Sequence, residues 1–199
     1  VYQHAGVPYK NLFLTPNGLD IDAYRFTDKP KYSERSICIG KIEDRKKQFF
    51  LQRIDSLWFA GNIADNRFNQ DKNYLGEIPK SQIKTDLTDY GNLVLISDGE
   101  VHPRVCTEAL AAGLGIVISE CGVANLDLSK PFITVIPDSK INDIKYIETQ
   151  IIINRDYSNS HRHDILEYAR QFDWDNILEQ YYFPSINKIR SNYVPSITK

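Results

Sequence analysis

Short apolar runs recur along this chain, each closed by a glycine or a turn signal, with amphipathic stretches between them. Leu12-Phe13-Leu14-Thr15 is the first such run and ends at the turn Pro16-Asn17-Gly18. The polar stretch from Arg25 to Arg35 contains Pro30 and reads as a loop. Ser36–Ile39, Leu57–Ala60, Lys72–Leu75, Leu93–Ile96, Ile116–Ser119 and Ile133–Ile136 predict buried strands. Helices are expected from Arg45 to Ile54, where Phe49, Phe50 and Ile54 supply the apolar face, and from Ser81 to Thr88, with Ser81 as cap. A third is expected from Arg104 to Ala112, stopped by Gly113, and a long amphipathic piece lies around Trp174–Ile189.

Strands that are apolar throughout, alternating with helices, predict an α/β fold: a doubly wound, Rossmann-like parallel sheet buried on both faces. Ligands of such sheets bind outside the carboxyl ends of the strands. Gly40, Gly61, Gly76 and Ser97 each follow a predicted strand, as does the Asp98-Gly99-Glu100 loop, so these positions collect along one edge.

Composition narrows this picture. The 199 residues suffice for one well-cored domain, and a net charge of −2 supplies no basic field for nucleic acid, so any attraction for phosphate is local. Cys38, Cys106 and Cys121 are odd in number, two in expected strands and one in a helix, which fits buried free thiols in a reducing compartment such as the cytoplasm. No apolar run approaches the ~20 residues of a membrane span, and no signal peptide is visible. Methionine is absent, even at position 1, so the chain reads as a piece of a longer protein. Residues 1–11 are then the remnant of a preceding segment, 12–190 the domain and 191–199 a frayed tail. His161 and His163 lack companion ligands and read as surface-loop residues, and His102 as a loop-lining side chain. Trp58, Phe59, Phe49 and Phe50 read as core. An NAD site is disfavoured, since no Gly-x-Gly-x-x-Gly follows a strand.

The candidate chemistry lies in Glu100-Val101-His102-Pro103-Arg104-Val105-Cys106-Thr107-Glu108. Two carboxylates straddling the start of a helix suit a polyhydroxylated ligand with a phosphate between them. Pro103 fits a first helical position, leaving the N–H groups of Arg104 and Val105 free to bind an anion. A second cluster, Arg45-Lys46-Lys47, puts positive charge at an expected helix start, where it opposes the macrodipole. That makes a purely structural role harder to justify.

These segments resemble retaining glycosyltransferase family 4. Glu100 to Glu108 is similar to its Glu-x7-Glu motif. Gly40-Lys41-Ile42-Glu43-Asp44-Arg45-Lys46 resembles its Gly-Arg-Leu-x-x-x-Lys segment, with Lys41 where the family has Arg and Lys47 where it prefers Gly. Pro16-Asn17-Gly18-Leu19-Asp20, Tyr74-Leu75-Gly76-Glu77-Ile78-Pro79 and Phe172-Asp173-Trp174 resemble further motifs, in the family's order. The resemblance implies the C-terminal, donor-binding half of a GT-B fold. It assigns catalytic roles to Glu100, Lys41 and Lys46, with Glu100 near the donor sugar and the lysines on its diphosphate. Donor binding falls to Glu108 on the ribose, to Arg104, Val105, Gly40 and Arg45 around the phosphates, and to the backbone of Gly76 and Ile78 around the base.

It further implies a nucleoside-diphosphate sugar as substrate, an N-terminal acceptor-binding domain as partner, and no metal or other cofactor, the lysines and a helix dipole taking the metal's place. Peripheral membrane association would belong to the full enzyme only. Transfer with retention is the implied reaction, and the isolated chain is expected to bind donor without transferring it. Two alternatives remain at this point: a nucleotide-sugar 2-epimerase of the same architecture, and a degenerate, non-catalytic nucleotide-binding module.

Overall fold

Apolar runs of the sequence become the strands of one parallel sheet. The computed structural model describes residue 13 and residues 15–100 and 103–192. The strands are β1 (Tyr32–Ile39), β2 (Leu57–Ala60), β3 (Tyr90–Leu95), β4 (Gly115–Ser119) and β5 (Ile133–Ile136), in the order β2-β1-β3-β4-β5. Every pairing is parallel, with Cys38 opposite Phe59, Ile37 opposite Leu93, Val94 opposite Val117 and Val117 opposite Thr134. Between them lie α1 (Gln48–Leu51), α2 (Lys80–Asp86) and α3 (Arg104–Ala111), and after β5 come α4 (Ile144–Ser160) and α5 (Arg162–Ala169). The chain therefore has the Rossmann-like α/β fold expected of it.

Strand periodicity explains the two layers. Cys38, Leu57, Phe59, Val94, Val117 and Ile136 point to one face and pack with Leu51 and Ile54 after β1 and with Ile147 and Ile151 of α4. The alternate residues Ile37, Leu93, Leu95, Ile116 and Ile118 face the other way and are as deeply buried. α3 packs against β3 and β4. Each of these apolar side chains contributes roughly 1.5–3 kcal/mol on burial.

Several boundaries differ from the sequence reading. β1 begins at Tyr32, inside the expected loop, because Tyr32 pairs with Tyr90 although its flanking residues are polar. The helix expected from Arg45 to Ile54 is broken into a 3-10 turn, Asp44–Lys46, and the short α1. Lys47 divides them in a left-handed conformation (φ 51°), which a non-glycine residue adopts at a cost. Lys72–Leu75 is not a strand but a single bridge, Phe59 to Tyr74. α2 starts at Lys80 with Pro79 at its cap position, and Ser81 does not cap it. α3 starts at Arg104 as expected and ends one residue early at Ala111, with Pro103 as its N-cap rather than its first helical residue. Cys121 lies in the 3-10 turn Glu120–Gly122 rather than in a strand. Cys38 and Cys106 are buried, whereas Cys121 is half-buried. Phe59 is core, but Phe49 is 42% exposed. His161 sits between α4 and α5, its Nδ1 2.8 Å from the Tyr157 carbonyl and its ring stacked on Tyr157. His163 tilts against Phe26.

The structure separates into two units, one of Asp20–Arg170 and one formed by the described residues up to Leu19 together with those from Gln171 onward. In the second unit, Leu19 donates to the Phe172 carbonyl (2.8 Å) and Trp174 donates to the Leu19 carbonyl (3.1 Å). A side chain at Gly18 would collide with the Trp174 ring. Two segments far apart in sequence, each singled out above, thus meet. The expected amphipathic helix is α6 (Trp174–Ile177), a wider π turn over Leu178–Tyr182, and α7 (Phe183–Asn192). Pro184 accounts for the widening: it lacks an N–H, and its ring would press on the carbonyl four residues earlier. Of the expected first strand, Phe13 and Thr15 are described and are in no strand, while Leu12 and Leu14 lie outside the described residues. Residues 1–11, Val101, His102 and residues 193–199 also lie outside them, whereas Ser191 and Asn192 are helical. No helix among the described residues is long and apolar enough to cross a membrane.

Candidate functional site

Strand order reverses between β1 and β3, so the loops leaving these two strands diverge and open a crevice at their carboxyl ends. The β1 loop carries Gly40 to Lys47, and the β3 loop carries Ser97 to Glu100. The two loops are tied together. Asp98 N–H donates to the Arg45 carbonyl (2.9 Å), the Arg45 guanidinium donates to Ser97 Oγ (3.2 Å) and to the Gly99 carbonyl, and Lys47 Nζ pairs with Asp98 at 2.8 Å. Gln48 shapes the first loop from inside. Its buried amide donates to the Lys41 carbonyl (2.9 Å) and accepts from Glu43 N–H (3.1 Å).

Charges of both signs gather there. Arg45 Nη1 is 3.1 Å and Lys46 Nζ 3.7 Å from Glu100 Oε1, and Arg45 Nη2 is 2.7 Å from Glu43 Oε1. Hydrogen bonding to Arg45 holds the Glu43 carboxyl below its usual range, and the same bond raises the guanidinium's pKa. Lys41 is exposed and reaches Glu43 (3.8 Å) rather than Glu100. Lys46 lies over bare backbone, since a Cβ on Gly40 would sit 3.1 Å from its Nζ.

Glu108 belongs to the same neighbourhood. Burial drives the Cys106 thiol pKa up, and the charges of Glu100 and Glu108 push the same way while Lys46 opposes them. The charges of all three groups therefore act on one residue in the first turn of α3. Arg104, at the start of that helix, is exposed, and Val105 is half-buried. The first two amides of α3, those of Arg104 and Val105, have no intrahelical acceptor. At the far end, Gly113 (φ 78°) donates to the Leu110 carbonyl (3.0 Å) and Leu114 to the Ala109 carbonyl (2.9 Å), which satisfies the helix C-terminus.

Gly76 and Ile78 stand on the other flank. A cleft of about 260 Å³ is lined by Ile39, Gly40, Lys41, Gly61, Ile78 and Ile83. Gly76 does not line it but accepts from Gly61 N–H (2.9 Å), fixing the loop that does. Gly61 has φ 142°, and a methyl group there would fall within contact distance of the Gly40 carbonyl. Gly61→Ala is therefore expected to destabilise the fold by about 3 kcal/mol. Denaturant unfolding measures this, and a loss under about 1 kcal/mol would show that the close approach is not needed.

The structure thus brings Gly40, Arg45, Lys46 and Glu100 together with Glu108 nearby, and leaves Lys41 and Arg104 at the rim. Sequence reasoning placed Ser97 on this edge but gave no role to Glu43 or Gln48. For Glu43, the alternation Lys41-x-Glu43-x-Arg45 was an available signal. For Gln48 there was none, since a buried amide looks like any polar residue.

No family model and no curated protein matches the sequence. The fold, however, is similar to parts of several solved structures. HepE from Anabaena, solved in complex with UDP, aligns over 96% of this chain and 60% of its own, with a TM-score of 0.70 and 16% identity. WaaB, a lipopolysaccharide outer core galactosyltransferase in its apo form, aligns over 96% and 59%, with a TM-score of 0.69 and 14% identity. Sucrose-phosphate synthase from Thermosynechococcus elongatus aligns over 90% and 53%, with a TM-score of 0.68 and 15% identity. The chain spans between 53% and 60% of the length of these proteins. At such identities the likeness is one of fold.

Proposed function

We propose that this chain is the donor-binding domain of a retaining, family 4-like GT-B glycosyltransferase, one that moves a sugar from a nucleoside diphosphate to an acceptor hydroxyl. The observation that carries this reading is the placing of Arg45, Lys46 and Glu100 at the reversal of strand order, with Glu108 on the adjoining helix. The fold likeness to HepE, solved with UDP-glucose, with UDP and glucose, and with UDP, and to the galactosyltransferase WaaB supports it.

As the glycosidic bond breaks, negative charge grows on the diphosphate, and cations fixed at that position stabilise the transition state. Lys46 and Arg45 are those cations, with the free amides of Arg104 and Val105 facing the phosphates and Lys41 at the rim. Without ligand, the two cations rest on Glu100. On binding they turn to phosphate, and Glu100 is released to accept from the sugar hydroxyls. Glu108 accepts from the ribose diol, a task suited to an acceptor-only carboxylate. The base lies in the cleft lined by Gly61, Glu77 and Ile78, with Gly76 bracing the Gly61 loop from behind. The departing phosphate oxygen takes the acceptor's proton, so neither a covalent enzyme intermediate nor a metal is required. The acceptor is held by a separate N-terminal domain.

Titration calorimetry with UDP and GDP tests the donor reading. Micromolar to sub-millimolar binding of one of them, with a matching rise in melting temperature, is expected. No binding of either at millimolar concentration would overturn it. The exposed Lys41, paired among the described residues with Glu43, favours a second reading, a nucleotide-binding module that has lost catalysis. Turnover of a UDP- or GDP-sugar by the chain joined to its acceptor domain separates the two.

A further inference from the structure

We propose that Tyr24 is a positioning residue, whose phenolic hydroxyl donates to the Glu108 carboxylate and aims it at the ribose diol of the bound nucleotide. The proposal rests on the donor reading above.

Tyr24 is buried to 6% exposure, and its hydroxyl has no hydrogen-bond partner within ordinary geometry among the described residues. A buried, unpartnered hydroxyl is costly, and a fold retains one where something is gained. The backbone explains where it is aimed. The 3-10 turn Ile21–Ala23, just before Tyr24, packs against α3. Three residues beyond Tyr24, the Thr27 carbonyl and the Ala112 carbonyl accept from the same guanidinium, that of Arg162 (2.7 and 3.1 Å). The Phe26 ring lies against Gly113. Segment 21–27 thus runs alongside α3, with Thr27 beside the end of the helix and the turn that precedes Tyr24 against the helix itself. Burial raises the phenol's pKa, and Glu108 is the largest contributor after burial, through its charge and through its approach to the hydroxyl. The phenol therefore stays protonated and can act as a donor. Arg104, four residues before Glu108 on the same helical face, also acts on Tyr24.

Tyr24 has no need to touch ligand. Its hydroxyl restricts the rotamers of a half-buried glutamate that would otherwise sample several, so the carboxylate meets the 2′ and 3′ hydroxyls already ordered.

The test compares the chain with its Tyr24→Phe variant in titrations with UDP and GDP, each against its 2′,3′-dideoxy analogue. The parent chain should favour the ribose form by about tenfold, and Tyr24→Phe should lose most of that preference through weaker ribose binding alone. Affinity for the dideoxy analogue should stay constant. The melting temperature of the ligand-free variant should change by no more than a few degrees, because the ring keeps its packing and one hydroxyl-to-carboxylate bond adds little net stability. In a Glu108→Gln background, Tyr24→Phe should have no further effect on the ribose preference. Full ribose preference in Tyr24→Phe would overturn the positioning role and leave the donor reading intact. Equal losses for ribose and dideoxy forms, with a lowered melting temperature, would reduce Tyr24 to a packing residue. Failure of the parent chain to bind either diphosphate would remove both readings together.

Discussion

Lys46→Ala is expected to weaken nucleoside diphosphate binding by about 30-fold while changing nucleoside binding less than about twofold. Its side chain is only 16% exposed, and its Nζ is held 3.7 Å from Glu100 and beside the bare backbone of Gly40. A partly desolvated ammonium on a doubly charged diphosphate makes charge-assisted bonds of roughly 1.5–3 kcal/mol, and each 1.4 kcal/mol is tenfold in affinity. A nucleoside lacks the phosphates and senses only the base and ribose contacts, so it serves as an internal control. Arg45 still neutralises Glu100 at 3.1 Å, so the variant should keep its melting temperature within a few degrees. Raising the salt should shrink the difference for the diphosphate. Equal losses for nucleoside and diphosphate would place Lys46 away from the phosphates and remove the central cation of the proposed site.

Arg162→Met is expected to cost about 4 kcal/mol and to lower the melting temperature by roughly 10 °C. Arg162 is 2% exposed and has no carboxylate among its hydrogen-bond partners. Its guanidinium donates to the carbonyls of Thr27 (2.7 Å), Tyr90 (3.1 Å), Thr88 (2.6 Å) and Ala112 (3.1 Å), and to Thr88 Oγ1 (3.0 Å). The rigid fork joins the start of β3, the end of α3 and the segment that carries Tyr24. Methionine fills the space but takes the guanidinium donor away from four carbonyls. Lysine keeps the charge but not the fork and should lose most of the same stability. Burial lowers the Arg162 pKa to about 10, with Asp89 and Asp28 opposing the shift at longer range. A base whose folded pKa is depressed gains stability as pH rises between the folded and unfolded values, so any pH dependence from this group lies above about pH 10. The difference between variant and parent should therefore be flat from about pH 6 to 9. A loss under about 1 kcal/mol would show that water or rearranged backbone replaces the fork.

Much of the sheet was legible because parallel strands buried on both faces are apolar throughout. Ile133–Ile136 was read with its observed bounds, and Ile116–Ser119 lacked only Gly115. α3 was legible because Pro103 and Gly113 bracket it with opposite backbone preferences. The opening of β1 was not, since Tyr32 to Arg35 carry polar groups and earn their strand geometry from β3 alone. The helix after β1 also misled. Its apolar pattern is regular, but Lys47 turns left-handed there, where its ammonium meets Asp98 at 2.8 Å. Phe49 then faces solvent, with Arg67 over its ring at 5.1 Å.

The sequence by itself determined the α/β class, the edge of the sheet that carries the charged loops, and the helix start between Glu100 and Glu108. Each of these follows from local chemistry: apolar continuity, glycine after a strand, proline before a helix. Only the tertiary structure decided which cations share Glu100, that Lys41 stands apart from them, and that the segment carrying Tyr24 runs beside α3. Those are distances between groups many residues apart, and they are set by strand order and by buried side chains such as Gln48 and Arg162, whose hydrogen-bond partners no local pattern announces.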